Sequence, residues 1–541
     1  MRFIIFVLFL YATVAQAQFK AGYYFASFKD KANNNYQLTN PSAFLSQRAL
    51  DRRIRQSIAI DSLDLPVTQI YLNQLALAGV SIHSVSKWLN GAIVIINDSI
   101  HYTNVSSLAF VKSIKYLRPL VAKKSNIDKY EKELKQYNYG TASNQIEMMN
   151  GQYLHNLGKK GEGMLIAVLD AGFMGADTIR YFDSLRIQNR IFLTRDIVDG
   201  FNNTTVYESH PHGTNVLSTM AVLKNNDFVG TAPKATYALI RTEEGAHEYI
   251  LEEYTWVIGA ELADSIGADV INSSLGYSTF DDSTMNHTWA DLTGKVAVSS
   301  IGATICARKG IIPCISAGNS ADDAWRKIGS PADADSILTV GAVDANRDYA
   351  FFSSQGYSAD GRVKPDVCAQ GLASAIIRED GTSTFGSGTS FSSPILCGLV
   401  TCLWQANPQK TNIEIMDAIR KSASQYNSPD SLLGYGIPNF EQAYNILAGV
   451  NPTALSNFEV KRIFPNPCTE NTQLSYISDK VREITISMYA IDGKVIFEKK
   501  MLVQPTINGN INISTSGIEN GYYLLQVKSE NMNKTFSICK K

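Results

Sequence analysis

The chain has little cysteine, almost no net charge and few long apolar runs. Its 541 residues contain seven cysteines, an odd and sparse set that excludes a disulfide framework but leaves room for one or two bridges. No Cys-x-x-Cys or His-x-x-x-His spacing occurs, so the sequence predicts no zinc site. The formal net charge is −1, without a basic run interleaved with aromatics, and nucleic acid is therefore not an expected partner.

One apolar run does stand out, at the N-terminus. Residues 3–10 are apolar and follow Arg2, and Ala15-Gln16-Ala17 comes shortly after them. This is the pattern of a secretory signal peptide cleaved before Gln18, and the run is too short to span a bilayer. We therefore expect residues 1–17 to be a signal peptide and the mature protein to be soluble or attached by other means.

The overall composition is that of an ordinary globular protein. Apolar residues make up 45% and charged residues 18% of the chain, which excludes a disordered or fibrous protein. The length is too great for one hydrophobic core, and two to four domains are expected.

A small-residue segment leads into an apolar, helix-like stretch around position 390. Residues 386–394 read Gly-Ser-Gly-Thr-Ser-Phe-Ser-Ser-Pro, and residues 395–404 are apolar. Ser390 is thus predicted at a helix start, where small neighbours admit a substrate backbone and unpaired N–H groups can face an oxyanion. Taken alone, the segment fits an ordinary helix cap almost as well.

Two other segments favour catalysis. Residues 164–169 are continuously apolar and end in Asp170, the pattern of a buried parallel strand that presents a carboxylate at its carboxyl end. His212, followed by Gly-Thr, opens the helix-like stretch 216–223. The three candidates come in the order Asp170, His212, Ser390, which is the order of the subtilisin triad.

At this point the chain resembles the subtilisin-like (subtilase) serine peptidases. Segments similar to other signatures of that family follow in the expected order between about residues 140 and 448. They are Ile271-Asn272-Ser273-Ser274-Leu275-Gly276, Ser316-Ala317-Gly318-Asn319, Val340-Gly341-Ala342-Val343, Phe352-Ser353-Ser354-Gln355-Gly356 and Lys364-Pro365-Asp366-Val367.

The chemistry and the resemblance together imply a role for each residue. Ser390 attacks, His212 shuttles the proton and Asp170 orients and stabilises the imidazolium. By resemblance, Asn319 supplies an oxyanion donor. The resemblance also implies two substrate-binding segments, Ser274, Leu275 and Gly276 in one and Ser316, Ala317 and Gly318 in the other.

Some residues near these motifs need a separate interpretation. Ala171 stands where the family usually has Ser or Thr, so one hydrogen bond that would orient Asp170 is expected to be missing. His210 precedes His212 by two residues and is interpreted as a surface-loop residue. Glu243 and Glu244 are interpreted as solvated carboxylates, with a contact to a basic substrate side chain as the alternative.

The fold predicted for residues 141–448 is α/β. Apolar strand candidates alternate with helical patterns, which indicates a subtilisin-like, mostly parallel sheet with helices on both faces. The edge at Ser274–Gly276 would pair with an extended peptide, which favours protein substrates. The predicted strands are residues 164–169, 237–240, 268–271, 310–316 and 337–343.

Residues 18–140 carry none of the peptidase motifs and are predicted to form a small α+β unit. By resemblance this is the place of a pro-segment that acts as chaperone and inhibitor. Residues 123–136 are strongly charged and read as an exposed linker, where maturation cleavage is expected. The alternative is a permanent N-terminal domain.

After residue 448 the pattern changes to β. Residues 449–460 are predicted to be a linker and 461–541 a small β-sandwich, since Ile484, Ile486 and Met488 alternate and Asp492-Gly493 marks a hairpin. Phe464-Pro465-Asn466-Pro467 and the Gly521-Tyr522-Tyr523 strand make this part similar to the C-terminal sorting domain of the type IX secretion system. The alternative is a carbohydrate- or protein-binding sandwich.

The sequence thus predicts a serine endopeptidase made as a zymogen and secreted or displayed at the surface of a Gram-negative bacterium. Its expected partners are protein or peptide substrates, its own pro-segment and the secretion machinery. No cofactor is expected to be required; a structural calcium ion would fit the family, but its ligands are unknown. The competing hypotheses are a binding pseudoenzyme and an adhesin.

Overall fold

The computed structural model describes residues 19–120, 142–200, 203–449, 458–478, 481–503, 506–530 and 532–541. The predicted signal peptide and the charged segment 123–136 lie outside these ranges. The chain divides into two compact units, Met1–Phe440 and Glu441–Lys541. The domain boundaries drawn from the sequence stay predictions.

The first unit begins with an α+β part, as predicted. Its four antiparallel strands have the order β2-β3-β1-β4. Helix α1 starts after Ser46, whose hydroxyl accepts the Ala49 N–H and so caps the helix. The elements are β1 Gly22–Phe28, α1 Gln47–Arg55, α2 Gln69–Leu77, β2 Ser81–Ser86, β3 Gly91–Ile96, α3 Ser99–Ser106 and β4 Val111–Pro119, with a 3₁₀ turn at Pro41–Ala43.

The rest of the first unit is built on a seven-stranded parallel sheet, which confirms the predicted fold class. The strand order is β13-β12-β11-β10-β5-β9-β6, and every neighbouring pair is parallel. Apart from the edge strand β6, where Phe192 is exposed, the strands are almost entirely buried, as expected for parallel strands with apolar runs. They are β5 Leu165–Asp170, β6 Ile191–Asp196, β9 Thr236–Arg241, β10 Val270–Ser273, β11 Ile312–Ser316, β12 Leu338–Val343 and β13 Val367–Gln370.

Helices cover the sheet. Helices α7 and α10 pack together against its central strands, and α8 and α9 form a second packed pair. No helix among the described residues is long and apolar enough to cross a membrane. The helices are α4 Ser143–Glu147, α5 Gln152–Asn156, α6 Asp183–Ile187, α7 His212–Ala221, α8 Leu251–Ile266, α9 Val298–Arg308, α10 Thr389–Ala406, α11 Asn412–Lys421 and α12 Phe440–Leu447.

Short elements complete this part of the chain. The two-stranded ribbons are antiparallel, and one of them leads directly to α10. They are β7 Leu223–Lys224 with β8 Phe228–Val229, and β14 Ser374–Ile377 with β15 Ser383–Gly386; 3₁₀ turns lie at Arg180–Phe182, Thr205–Tyr207, Ser283–Met285 and Trp289–Asp291.

The sheet order brings three of the candidate segments to one edge. Strands β11, β10 and β5 are neighbours and end at Ser316, Ser273 and Asp170. Because parallel strands end at the same edge of a sheet, the residues that follow them meet there.

The N-terminal α+β part packs through its sheet onto helix α8. Phe25, Trp88, Ile93 and Leu117 belong to the same apolar core as Trp256. The Phe25 ring also lies 4.7 Å, centroid to centroid, from a tyrosine of α8, Tyr254. The N-terminal part and the part built on the parallel sheet therefore share one apolar core.

Charged residues are buried in the same contact. Arg52 and Arg53 of α1 both pair with Asp264 of α8, and each of the three side chains is at most 2% exposed. Arg53 Nη2 also lies 2.9 Å from Asp64 Oδ1, and Lys309 Nζ lies 2.8 Å from Asp64 Oδ2. We call these five residues the buried clasp.

Two residues of the clasp, Arg52 and Asp64, show how buried charges persist in this contact. Burial lowers the pKa of Arg52 to about 10, despite the opposing effect of Asp264, so the guanidinium remains charged at neutral pH. Burial alone would raise the pKa of Asp64, but the hydrogen bond from Lys309 and other donors hold it below its ordinary value. Each charge thus depends on its partners across the contact.

A second buried carboxylate accepts hydrogen bonds from the turn after β2. Glu261 of α8 accepts hydrogen bonds from the N–H groups of Lys87 and Trp88, at 2.9 and 3.0 Å, and from the Ser86 hydroxyl. Burial raises the pKa of Glu261 in spite of these donors.

All seven cysteines are free thiols, six of them buried, so neither of the bridges that the count allowed is formed. Cys397 and Cys402 pack inside α10 with no exposed surface. They act there as small apolar residues.

The second unit contains two antiparallel sheets, as predicted for the C-terminal part. Their orders are β16-β17-β20 and β19-β18-β21-β22, and apolar residues of both sheets form one core that includes Leu474, Met488 and Leu525. The strands are β16 Glu459–Phe464, β17 Asn471–Ser478, β18 Arg482–Ala490, β19 Val495–Val503, β20 Thr506–Ser514, β21 Gly521–Ser529 and β22 Met532–Lys540.

Candidate active site

The structure brings Asp170 and His212 into direct contact. Asp170 ends β5 and is fully buried, and its Oδ1 lies 2.8 Å from Nδ1 of His212. The same Oδ1 accepts the Ala171 N–H at 2.8 Å. Asp170 Oδ2 is buried without a hydrogen-bond partner among the described residues, and the next residue, Ala171, has no side-chain donor.

Ser390 lies in the first turn of α10, beside the segment that follows β10. Its hydroxyl is 3.4 Å from the carbonyl oxygen of Ser274, and the Ser274 hydroxyl donates to the Ser390 carbonyl at 2.8 Å. The next residue, Phe391, has its ring centroid 6.4 Å from that of His212. The serine and the histidine are therefore carried on adjacent turns of α10 and α7.

Asn319 is oriented by the residue before the serine. Its Oδ1 accepts both the N–H and the hydroxyl of Thr389, at 2.8 and 2.9 Å. This contact uses the amide oxygen and directs the Nδ2 hydrogens elsewhere. A β carbon at Gly388 would come within 3.4 Å of Nδ2, so the glycine keeps the space in front of this donor open.

The first predicted substrate-binding segment presents a free edge. Ser274 and Leu275 are buried, whereas Gly276 is exposed. Beyond it, Tyr277 exchanges two backbone hydrogen bonds with Ser330, at 2.7 and 2.9 Å. The segment is thus held by β10 on one side and by the Tyr277–Ser330 pair on the other, with Gly276 exposed between them.

The second predicted segment turns sharply after β11. The Ala317 N–H donates to the Val340 carbonyl, and the Gly318 N–H to the Thr389 hydroxyl. Gly318 has φ +100°, and a β carbon there would lie 2.8 Å from Ser354 Oγ. Only glycine fits this turn, which carries the chain from Ser316 to Asn319.

Two interpretations made from the sequence need correction. Glu243 is not solvated: it is 2% exposed, and its Oε2 accepts the Tyr277 hydroxyl at 2.9 Å. Burial and the nearby carboxylates raise the pKa of Tyr277 well above its ordinary value, so the phenol keeps the proton that it donates.

His210 is half-buried and is more than a surface-loop residue. Its Nδ1 accepts the His212 N–H at 3.1 Å. A β carbon at Gly245 would come within 2.6 Å of its Cδ2. His210 therefore connects His212 to the segment after β9.

One group of carboxylates among the described residues is close enough to share a metal ion. Oxygens of Glu243, Glu248 and Glu252 lie within 4.8 Å of one another. However, Glu252 already accepts the N–H groups of Glu244 and Tyr249 on its two oxygens, and Glu243 accepts Tyr277. The cluster thus has a structural task, and the calcium ion stays a prediction without assigned ligands.

Comparison with protein families identifies the fold and its chemistry. Residues 161–436, more than half of the chain, match the model of the Subtilase family. The chain belongs to the subtilase family. It is therefore a subtilisin-like serine peptidase, a hydrolase.

Curated relatives agree with this assignment. Subtilisin E of Bacillus subtilis (strain 168) is 29% identical over 301 residues, which cover 55% of this chain and 70% of the relative. Subtilisin of Bacillus pumilus is 29% identical over 301 residues, 97% of its length. Serine protease AprX of Bacillus subtilis (strain 168) is 27% identical over 324 residues, 54% of this chain and 68% of the relative.

The flanking parts of this subtilase match models of their own. Residues 23–133 match the Peptidase S8 propeptide domain of Bacteroidota, which confirms a pro-segment rather than a permanent N-terminal domain. Residues 462–541 match the secretion system C-terminal sorting domain. The protein is accordingly secreted or displayed at the surface of a Gram-negative bacterium.

Three residues of the subtilase site were not singled out in the sequence. Thr389 orients Asn319, Glu252 holds the segment after β9, and Arg118 of the pro-segment pairs with Glu244 at 2.7 Å. Thr389 could have been found from the sequence, because it directly precedes the candidate nucleophile Ser390. Glu252 looks like any acidic residue in a first helical turn, and nothing in the sequence marks Arg118.

Proposed function

We propose that this subtilase is an endopeptidase that cleaves peptide bonds through an acyl-enzyme, with Ser390 as nucleophile, His212 as base and Asp170 as the residue that orients it. The observation that carries the proposal is the 2.8 Å contact of Asp170 with His212, which lies on a helix packed against the one that carries Ser390 in its first turn. An aspartate, a histidine and a serine in this arrangement are what acyl transfer requires.

The first half of the reaction forms the acyl-enzyme. Ser390 Oγ attacks the scissile carbonyl carbon while His212 Nε2 takes the hydroxyl proton. Asp170 stabilises the imidazolium through Nδ1. The tetrahedral intermediate then collapses, the C–N bond breaks, and His212 returns the proton to the leaving amine.

The second half releases the acyl group. Water attacks the ester carbonyl as His212 takes its proton, and the proton passes back to Ser390 as the ester bond breaks. In both halves the negative charge develops on the former carbonyl oxygen. The Asn319 amide and the Ser390 N–H are assigned to that oxygen, since a helix N-terminus has N–H groups without intrahelical partners.

The architecture supports proteins or peptides as substrates. The open edge at Gly276 suits pairing with an extended backbone, which a small ester lacks. The pro-segment is proposed to bind as inhibitor and chaperone, and the sorting domain to engage the secretion machinery.

The proposal is tested by labelling the secreted, processed protein with a fluorophosphonate probe and mapping the modified residue by mass spectrometry. Label is expected on Ser390, and none in His212→Ala, because the hydroxyl needs its base. Absence of label on folded protein without its pro-segment would favour the pseudoenzyme. Binding to a surface that survives Ser390→Ala would favour the adhesin.

Replacing Asn319 by alanine tests the oxyanion assignment. We expect kcat to fall by about 10²- to 10³-fold, the range known for the corresponding donor in subtilisin itself, with little change in KM. The donor acts mainly on the transition state, so the loss belongs in kcat. An effect confined to KM, measured by steady-state peptide hydrolysis, would contradict the role.

Replacing Ala171 by serine tests whether the missing hydrogen bond to Asp170 Oδ2 limits activity. A hydroxyl at position 171 can donate to Asp170 Oδ2 and hold the carboxylate toward His212. We expect kcat/KM to rise by about twofold to tenfold, which corresponds to the net value of one ordinary hydrogen bond, about 0.5–1.5 kcal/mol. Ala171→Cys, similar in size with a weak donor, is the matched control, and equal rates for both variants would contradict the explanation.

A further inference from the structure

The described part of the pro-segment ends near an arginine that lies on the peptidase surface. Arg118, in β4, donates from Nη1 to Glu244 Oε2 at 2.7 Å. Its guanidinium is 5.6 Å from the ring centre of Tyr249 and 5.2 Å from that of Tyr23. Glu244 and Tyr249 belong to the peptidase and remain when the pro-segment, with Arg118 and Tyr23, departs.

The contact lies close to the catalytic residues. Glu244 directly precedes Gly245, whose backbone lies against the His210 ring, and His210 accepts the backbone N–H of His212. On the other side, Glu243 holds the Tyr277 hydroxyl next to the open edge at Gly276. Glu244 therefore lies between the loop that carries His210 and the candidate substrate-binding edge at Gly276.

The peptidase itself holds Glu244 and Tyr249 in place. Glu252, in the first turn of α8 and 5% exposed, accepts the Glu244 N–H on Oε1 at 2.9 Å and the Tyr249 N–H on Oε2 at 3.2 Å. One buried carboxylate thus fixes both residues without help from the pro-segment. A pair held in this way is prepared for a ligand before the ligand arrives.

The chemistry of the pair suits a cationic side chain. A carboxylate pairs with a guanidinium or ammonium group, and an aromatic ring attracts the same cation. The carboxylates of Glu243, Glu248 and Glu252 lie in the same segment and add negative potential. In the pro-segment contact the Arg118 and Glu244 side chains are only 15% and 29% exposed, so the pair is partly shielded from solvent.

We propose that Glu244 and Tyr249 form a subsite that recognises an arginine or lysine side chain on the N-terminal side of the scissile bond. The pro-segment places Arg118 there upstream of the segment expected to be cleaved, so a substrate that follows the same path presents a basic residue upstream of its own cleaved bond. The inference rests on the proposed endopeptidase function and adds a side-chain preference to it.

The test is a scan with quenched-fluorescent peptides, using enzyme that was expressed as the full chain and then processed. One arginine is moved through the upstream positions of an otherwise neutral peptide, and cleavage sites are mapped by mass spectrometry. Citrulline replaces arginine as a neutral group of the same shape. We expect kcat/KM to favour arginine over citrulline by about fivefold to tenfold at one upstream position, the size of a partly exposed ion pair with a ring contact.

Two substitutions assign that preference to Glu244. Glu244→Gln should reduce the arginine-to-citrulline ratio to about one, and Glu244→Lys should favour glutamate at the same position. Glu208→Gln is the control, since Glu208 is an exposed carboxylate two residues before His210; it should keep the wild-type ratio.

The outcomes separate the subsite from the proposed function. If no peptide is cleaved and Ser390 takes no fluorophosphonate label, the endopeptidase proposal fails. Cleavage with an arginine-to-citrulline ratio near one at every upstream position would overturn the subsite alone, as would a preference that Glu244→Gln leaves intact. A preference seen only with added calcium and lost with a chelator would also overturn it, in favour of a metal ion at the carboxylates.

Discussion

Peptide hydrolysis should be lost when Ser390 is replaced by alanine. The nucleophile is removed while the helix start and its neighbours remain, so a loss of about 10⁶-fold in kcat is expected, as is known for the corresponding serine of subtilisin itself. The small side chain fits the first turn of α10, and circular dichroism and thermal unfolding should match the parent. The measurement is hydrolysis of a quenched-fluorescent peptide after the pro-segment has been removed by an added peptidase.

Ser392 provides a matched control for this loss. It lies two residues further along α10, and its hydroxyl donates to the Thr389 carbonyl within the same helix. Because that bond is local, Ser392→Ala should retain most of the activity. Substantial hydrolysis by Ser390→Ala would refute the nucleophile assignment, and equal losses in both variants would indicate damage to the helix instead of lost chemistry.

Replacement of Asp264 by asparagine should release the pro-segment. Asp264 neutralises Arg52 and Arg53 in the buried clasp. Its loss leaves the Arg52 guanidinium without a carboxylate partner in the clasp and leaves Arg53 paired with Asp64 alone. Removing one partner of a buried ion pair costs about 3–5 kcal/mol. This corresponds to about 10²- to 4 × 10³-fold weaker pro-segment binding. Serial dilution of the cleaved complex, followed by peptide hydrolysis, measures the dissociation constant.

Substitution of Arg48 is the control that separates the effect of a buried ion pair from that of an exposed one. Arg48 also pairs across the contact, with Asp269, but its side chain is 38% exposed. Exposed pairs contribute only about 0–1 kcal/mol, so Arg48→Ala should weaken binding by less than tenfold. If the Arg48 and Asp264 variants lose the same affinity, the buried clasp is not what holds the pro-segment.

Much of the fold could be predicted because its determinants are local. A buried parallel strand needs a continuous apolar run, and the five predicted runs became strands β5, β9, β10, β11 and β12. Asp170 and Ser390 could be proposed as candidate catalytic residues for the same reason. A carboxylate at a strand end and a serine after small residues are both patterns within a few positions of the sequence.

Other features were misjudged because they depend on distant neighbours. Glu243 looked solvated, since two adjacent glutamates after a strand usually are, but Tyr277 reaches it from 34 residues away. His210 looked like a loop residue, yet the backbone at Gly245 packs against its ring. Neither partner has a fixed spacing along the chain, so no local pattern could reveal the contact.

By itself, the sequence determined the family, the order of domains, the parallel sheet and the residues with catalytic potential, because periodicity and short motifs carry that information. Only the tertiary structure decided which charges meet across the pro-segment contact, how Thr389 orients Asn319, and that Glu252 prepares Glu244 and Tyr249. These contacts join residues between 3 and 245 positions apart. They depend on the packing of whole elements, which sets distances that no short stretch of sequence encodes.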